Sequence, residues 1–212
     1  MPSTIVHLGF AFLIAAAILT DHLDRRALLV VSVVIIIPEV DTLLGPFMDG
    51  AHRAVGHNLV FPALVTIVLA WDCWWRADST LRKRCGEWGV QVSLATMVAL
   101  FFAHLLLDWA HLEGINMFWP LYDSFYRIEG ELYVTASGVT QTYVDLSEGD
   151  VGSVGTTADT HISNPVEPTA EPTEDPTVKN TIPFAATGWE LYLVVTGLFV
   201  LGARRLQGEE PA

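Results

Sequence analysis

Five apolar stretches, residues 4–20, 27–44, 54–75, 88–109 and 185–203, approach the roughly 20 residues that a helix needs to cross a bilayer. In lipid such runs satisfy their backbone polar groups as helices. The expected fold is therefore all-α: a polytopic membrane helical bundle of about five transmembrane helices. The second stretch contains Pro38, Glu39 and Asp41 near its end. Acids inside an apolar run are costly and are a functional-site hypothesis by default.

Composition fits this reading through segregation. The 212 residues are 51% hydrophobic, yet the formal charge is −13. Apolar spans sit in lipid and acidic segments sit in water. Only Lys83 and Lys179 are lysines. An acidic, lysine-poor surface is tolerated at high salt, which screens self-repulsion, so a halophilic setting is expected. No basic stripe exists to meet phosphates, so nucleic acid is not expected as a partner; the lipid bilayer is. Cys73 and Cys85 form no CxxC pair, and no disulfide framework follows. No positive region precedes the first stretch, and its charges, Arg25 and Arg26, follow it, so it does not read as a cleaved signal.

Lys and Arg set the expected orientation. With the N-terminus outside, Arg25, Arg26, Arg76, Arg82, Lys83, Arg84, Arg204 and Arg205 fall inside, eight of the eleven basic residues. Arg53, Arg127 and Lys179 fall outside. The location expected is a cell membrane, crossed several times.

Three regions follow. Residues 1–128 form a membrane-embedded core of four helices, ending in an interfacial stretch around Phe118–Phe125. Residues 129–184 form an acidic Thr/Pro-rich external loop. It starts with strand-like content between Glu131 and Val144, and a flexible part follows at 145–180. Residues 185–212 are the last helix and a short inner tail.

With this orientation the awkward residues share one depth. His7 lies at the outer end of the first helix, and Glu39 and Asp41 at the outer end of the second. His52, Arg53 and His57 lie at the start of the third, and His104, Asp108 and His111 at the end of the fourth. His104, Asp108 and His111 are spaced i, i+4 and i+7, one helix face. A histidine and a carboxylate one turn apart can ligate a metal, and zinc accepts both donors. The competing reading is polar lining of a helix contact. Arg53 beside such a cluster fits anion recognition or a snorkelling interfacial arginine. Pro38 can turn Glu39 and Asp41 toward one cavity; the rival reading of Asp41 is an N-cap. His22 and His161 read as solvated, and Asp72 and Glu190 as interfacial.

The motifs in order are His7, PEVD at 38–41, HRAVGHNL at 52–59, HLLLDWAHLEG at 104–114, and Trp119-Pro120. Over residues 4–128 they resemble the YdjM-type family of inner-membrane, metal-dependent hydrolases. That family is distantly similar to the zinc-dependent phospholipase C and single-strand nuclease group, which hydrolyses phosphodiesters with clustered His and Asp. The resemblance implies metal ligands at His7, Asp41, His57, His104 and Asp108, and a role for His52 and Arg53. The sequence departs from the family at Glu39 (usually Asp), at Gly56 and Asn58 (often Thr and Ser), and at His111 (often Thr).

The expected activity is metal-dependent hydrolysis of a phosphoester, phospholipid or lipid-linked, at the outer membrane face. The expected cofactor is a divalent metal, zinc first, with manganese or magnesium as alternatives. His7, Asp41, His57, His104, Asp108 and His111 are the candidate ligands. Glu39 is the candidate general base or bridging ligand, Arg53 the group for a phosphate oxygen, and His52 a further catalytic group. The alternatives are a divalent-cation or proton transporter, a haem protein, and a non-catalytic membrane scaffold. Few polar residues lie between Val60 and Ala70 or between Val90 and Ala103, which argues against a through-pathway. The carboxylates near the histidines argue against haem.

Overall fold

A computed structural model describes residues 2–48, 50–111, 114–128, 130, 132–141, 153–160 and 184–208. The chain is mostly helical. Helix α1 spans Thr4–Ile18. Helix α2 (Arg25–Ile36) continues as a 3₁₀ stretch, Ile37–Leu44. Helix α3 (Val60–Ala70) continues as π-helical Trp71–Trp75. Helix α4 (Thr80–Ala99) runs through π-helical Leu100–Leu105 into α5 (Leu106–Trp109). Strands β1 (Leu132–Thr135) and β2 (Gly138–Gln141) form an antiparallel hairpin where strand-like content was expected, and α6 spans Gly188–Gly208. Two helical runs, Arg25–Leu44 and Thr80–Trp109, are long and apolar enough to cross a membrane, and Thr4–Ile18 and Val60–Trp75 are shorter apolar helices.

Caps explain several boundaries. Asp24 begins α2 by accepting from the Ala27 N–H at 2.7 Å. Asp72 accepts from the N–H groups of Thr80 and Leu81, both at 2.9 Å, and from the Ser79 hydroxyl at 2.8 Å. Read from sequence as merely interfacial, Asp72 instead gathers the orphan donors at the start of α4. That helix begins at Thr80, upstream of the apolar run, and is interrupted at Gly86 (φ 64°). Glu190 is likewise buried: its carboxylate takes the N–H groups of Ala186 and Thr187, while its own N–H meets the Thr187 hydroxyl. This is a capping box at the start of α6.

The chain divides into two compact units, one from Pro38–Val60 and Leu105–Ile182 together with Met1, the other from Pro2–Ile37, Phe61–His104 and Pro183–Ala212. In the second, helical unit, α1 packs against α2, α4 and α6, and α2 packs against α4. Its core is rich in alanine: Ala11, Ala15, Ala95, Ala99 and Ala103 are fully buried beside Val31 and Ile35. Small residues at four-residue spacing let helices approach closely, the packing expected where lipid offers no hydrophobic drive. Large apolar residues point outward instead, among them Leu29, Ile67 and Phe199. Helix α3 buries none of its residues although it is apolar all round, which suits a lipid-facing helix.

Helices α1 and α6 approach closely at two glycines. A Cβ on Gly197 would stand 2.9 Å from the Gly9 carbonyl carbon, and one on Gly9 would stand 2.7 Å from the Val194 Cα. Gly197→Ala is therefore expected to lower stability by about 1–3 kcal/mol through overpacking. Gly202→Ala on the same helix meets open space and is expected to gain up to about 1 kcal/mol from helix propensity. Thermal unfolding in detergent distinguishes the opposite signs.

Most of the stretch expected to be a flexible loop, 145–180, lies outside the described residues, as does His161. Residues 153–160 are described and are not free. Val154 N–H meets the Phe125 carbonyl at 2.9 Å, Phe125 N–H meets that of Gly155 at 2.8 Å, and Gly50 N–H meets that of Thr157 at 3.1 Å. The segment is a strap on the first unit. Bonds from the Thr156 N–H and hydroxyl hold the Asp159 carboxyl below the usual carboxylate range.

Candidate metal centre

The first unit gathers a group of buried polar side chains around one carboxylate. Pro38 lacks an N–H, and the chain passes from α2 into a 3₁₀ helix, whose i and i+3 side chains eclipse. Pro38 and Asp41, so spaced, are both buried, and Glu39 is half-buried. The Asp41 carboxylate lies against the Gly50–Leu59 loop. Its Oδ1 is 2.8 Å from His52 Nδ1, and its Oδ2 is 2.9 Å from both His57 Nδ1 and the Gly56 N–H.

A carboxylate accepts, so both Nδ1 atoms donate. In the neutral rings Nε2 then carries the lone pair, the form in which imidazole binds metals. The two rings stand edge-on, centroids 5.1 Å apart. Donor atoms of Glu39, His52 and His57 all lie within 4.8 Å of one another. Two imidazoles and one carboxylate are a donor set that zinc accepts.

The loop is held by unusual backbone. Arg53 has φ 63°, rare for a residue with a side chain. Its carbonyl accepts from the Asn116 N–H at 2.8 Å, and the Leu59 N–H meets the Met117 carbonyl at 2.8 Å. The buried Asn58 amide donates to the carbonyls of Ala54 and Val55 at 3.0 and 2.8 Å. These local bonds compete with a helical ladder, so the third helix begins at Val60, not near residue 54. Gly56 approaches the 3₁₀ helix closely: a Cβ there would stand 2.7 Å from the Pro38 Cα. That contact accounts for glycine at this position.

Arg53 is completely buried and is not a snorkelling residue. Its guanidinium donates to Asp108 Oδ1 at 2.9 Å and to the Gly114 carbonyl at 3.1 Å. Asp108 Oδ2 lies 3.4 Å from His57 Nε2. Glu39, Asp41, His52, Arg53, His57 and Asp108 thus belong to one cluster inside the first unit.

His7 and His104 belong to the helical unit and are both fully buried. Their rings stack with centroids 4.2 Å apart. His7 Nδ1 donates to the Ala103 carbonyl at 2.8 Å, which again assigns the lone pair to Nε2. His104 sits in the π-helical stretch, an insertion frequent at functional sites.

His111 departs from the helix-face expectation. Helix α5 ends at Trp109, and His111 lies in the following turn, its N–H on the Asp108 carbonyl at 3.1 Å. It is in none of the groups of described residues whose donor atoms lie close enough to share an ion.

Two residues went unnoticed in the sequence. The Asn116 amide donates to Asp123 Oδ1 at 2.6 Å, and Asp123 accepts from the Thr157 N–H and hydroxyl at 3.1 and 2.6 Å. They link the Arg53 backbone to the strap. Neither stands at a motif spacing, so only the tertiary bonds reveal them.

A family model described as YdjM inner membrane protein matches residues 1–163. The match runs past residues 4–128, where the motifs lie, and takes in the β hairpin and the strap. No curated protein and no solved structure matches the chain. The chain belongs to the YdjM inner membrane protein family.

Proposed function

We propose that this chain is a multi-pass membrane enzyme that hydrolyses phosphoesters of phospholipids or lipid-linked substrates with a divalent metal, zinc first. The observation that carries the reading is the Asp41 carboxylate bonded to Nδ1 of both His52 and His57, beside Glu39. Carboxylate-oriented imidazoles are the usual support of metal ligands.

In this reading His52, His57 and Glu39 would hold the ion, and Asp41 is a positioning residue that fixes both rings. Arg53 acts through Asp108, holding that carboxylate near His57. When bound, the ion supplies Lewis acidity and a more acidic water near neutral pH.

A lipid substrate is favoured by the same unit's surface. It exposes Phe47, Phe118, Leu121 and Tyr122, the aromatic and apolar residues that seat a protein at headgroup depth. The family resemblance points to the same class of substrate.

The test uses purified protein in mixed micelles with zinc, manganese or magnesium, assayed for release of phosphorylated headgroups. Turnover by the wild type, lost in His52→Ala and His57→Ala, is the expected result. No release with any of the three ions rejects the hydrolase reading while leaving the metal centre itself standing.

A further inference from the structure

We infer that the helical unit carries a second binding site, for the phosphate of an anionic lipid headgroup, in the cleft between the start of α2 and the end of α6. The cleft is lined by Arg25, Arg204 and Arg205 together with Leu23, Leu28 and Leu201. This site is separate from the histidine cluster and rests on different residues.

Charge placement favours an anion in this cleft. The chain carries −13 overall with only eleven Lys and Arg, and three of those eleven converge on one cleft. Asp24 also lines it, but its carboxylate is engaged in capping α2 through the Ala27 N–H. Asp21 is the other acid in the same turn. The positive end of the α2 dipole adds to the arginines, since Arg25 is the first residue of that helix.

Chemistry and shape narrow the ligand. All three cations are arginines, whose planar forks match phosphate oxygens better than an ammonium does. Arg204 is held in place, donating to the Ala16 carbonyl at 2.9 Å near the end of α1, so one fork is preorganised. The leucines offer apolar wall beside the cations. A free phosphate has no use for that wall, whereas a lipid buries its glycerol and first acyl carbons there. Basic pockets between the helices of membrane proteins bind lipid headgroups in this way.

The experiment uses the full chain purified in mixed detergent micelles containing equal phosphatidylcholine and phosphatidylglycerol, with retained lipid counted by mass spectrometry after detergent washing. Retention of phosphatidylglycerol over phosphatidylcholine is expected. The double variant Arg25→Gln/Arg205→Gln is expected to weaken retention about thirtyfold, and Arg204 is left intact because it bonds α1. Added sodium chloride on the wild type is expected to erode the preference, a readout that needs no variant. Equal retention of the two lipids, a double variant that retains lipid as the wild type does, or insensitivity to salt would each overturn the site. Displacement by a modest excess of inorganic phosphate would overturn the lipid assignment and leave a free-anion site.

Discussion

Asp41→Ala is expected to reduce zinc affinity by 100-fold or more, with the helical content unchanged. Loss of one outer-shell carboxylate from a metal-binding histidine typically costs about 10–100-fold. Here one carboxylate serves two rings and also the Gly56 N–H, so a single substitution releases both imidazoles and the loop between them. Asp41→Asn gives a sharper comparison. Its amide oxygen can accept from one ring, but its NH₂ opposes the Nδ1–H of the other. One histidine must then change tautomer, and an intermediate loss is expected. Competition against a chromogenic zinc chelator measures both. Wild-type affinity in Asp41→Ala would remove Asp41 from the account.

The second large effect concerns stability. Arg53→Met is expected to destabilise the protein by about 3–5 kcal/mol, the usual cost of taking one partner from a buried ion pair. The guanidinium and the Asp108 carboxylate are both buried, 0% and 1% exposed, and the same guanidinium holds the Gly114 carbonyl. Arg53→Lys is expected to recover only part of the loss, because an ammonium cannot reproduce the fork. The double variant Arg53→Met/Asp108→Leu is expected to cost less than the sum of the two single changes, since it removes both charges together. Chemical unfolding in detergent reads all of these. A loss below about 1 kcal/mol for Arg53→Met would mean that the pair does not hold the loop to α5.

Helical character was readable from the apolar runs, since such runs in lipid have few other options. Their ends were less readable. The third helix starts six residues later than expected because the Gly56 N–H goes to Asp41, the Ala54 and Val55 carbonyls to the Asn58 amide, and the Leu59 N–H to the Met117 carbonyl. Pro62, in the first turn of α3, was an available signal for the later start. The Thr187–Glu190 capping box and the Asp72 cap were equally present as residue types. Both were passed over because an acid at a span end reads first as interfacial.

The candidate site was legible as a set of residues and much less as a set of relationships. Spacing placed His104, Asp108 and His111 on one face, but the helix ends at Trp109 and takes His111 off it. No periodicity could show that Asp41 would face two Nδ1 atoms, because His52 and His57 lie in a loop whose shape depends on a positive φ at Arg53. Arg53 read as an interfacial or anion-binding group, and only its tertiary partners place it on Asp108. The strap at 153–160 was hidden for the same reason. Its Thr-rich, acidic composition is that of a solvated loop, and its order comes from pairing with Phe125 and Asp123.

In the proposed function, Glu39, His52 and His57 form a metal centre oriented by Asp41. The most direct measurement is the metal content of detergent-purified wild type beside His52→Ala and His57→Ala, each after dialysis against zinc, manganese and magnesium. Stoichiometric metal in the wild type, lost in both variants, is the predicted result. A wild type that holds no metal after all three dialyses, or variants that hold as much as the wild type, would contradict it.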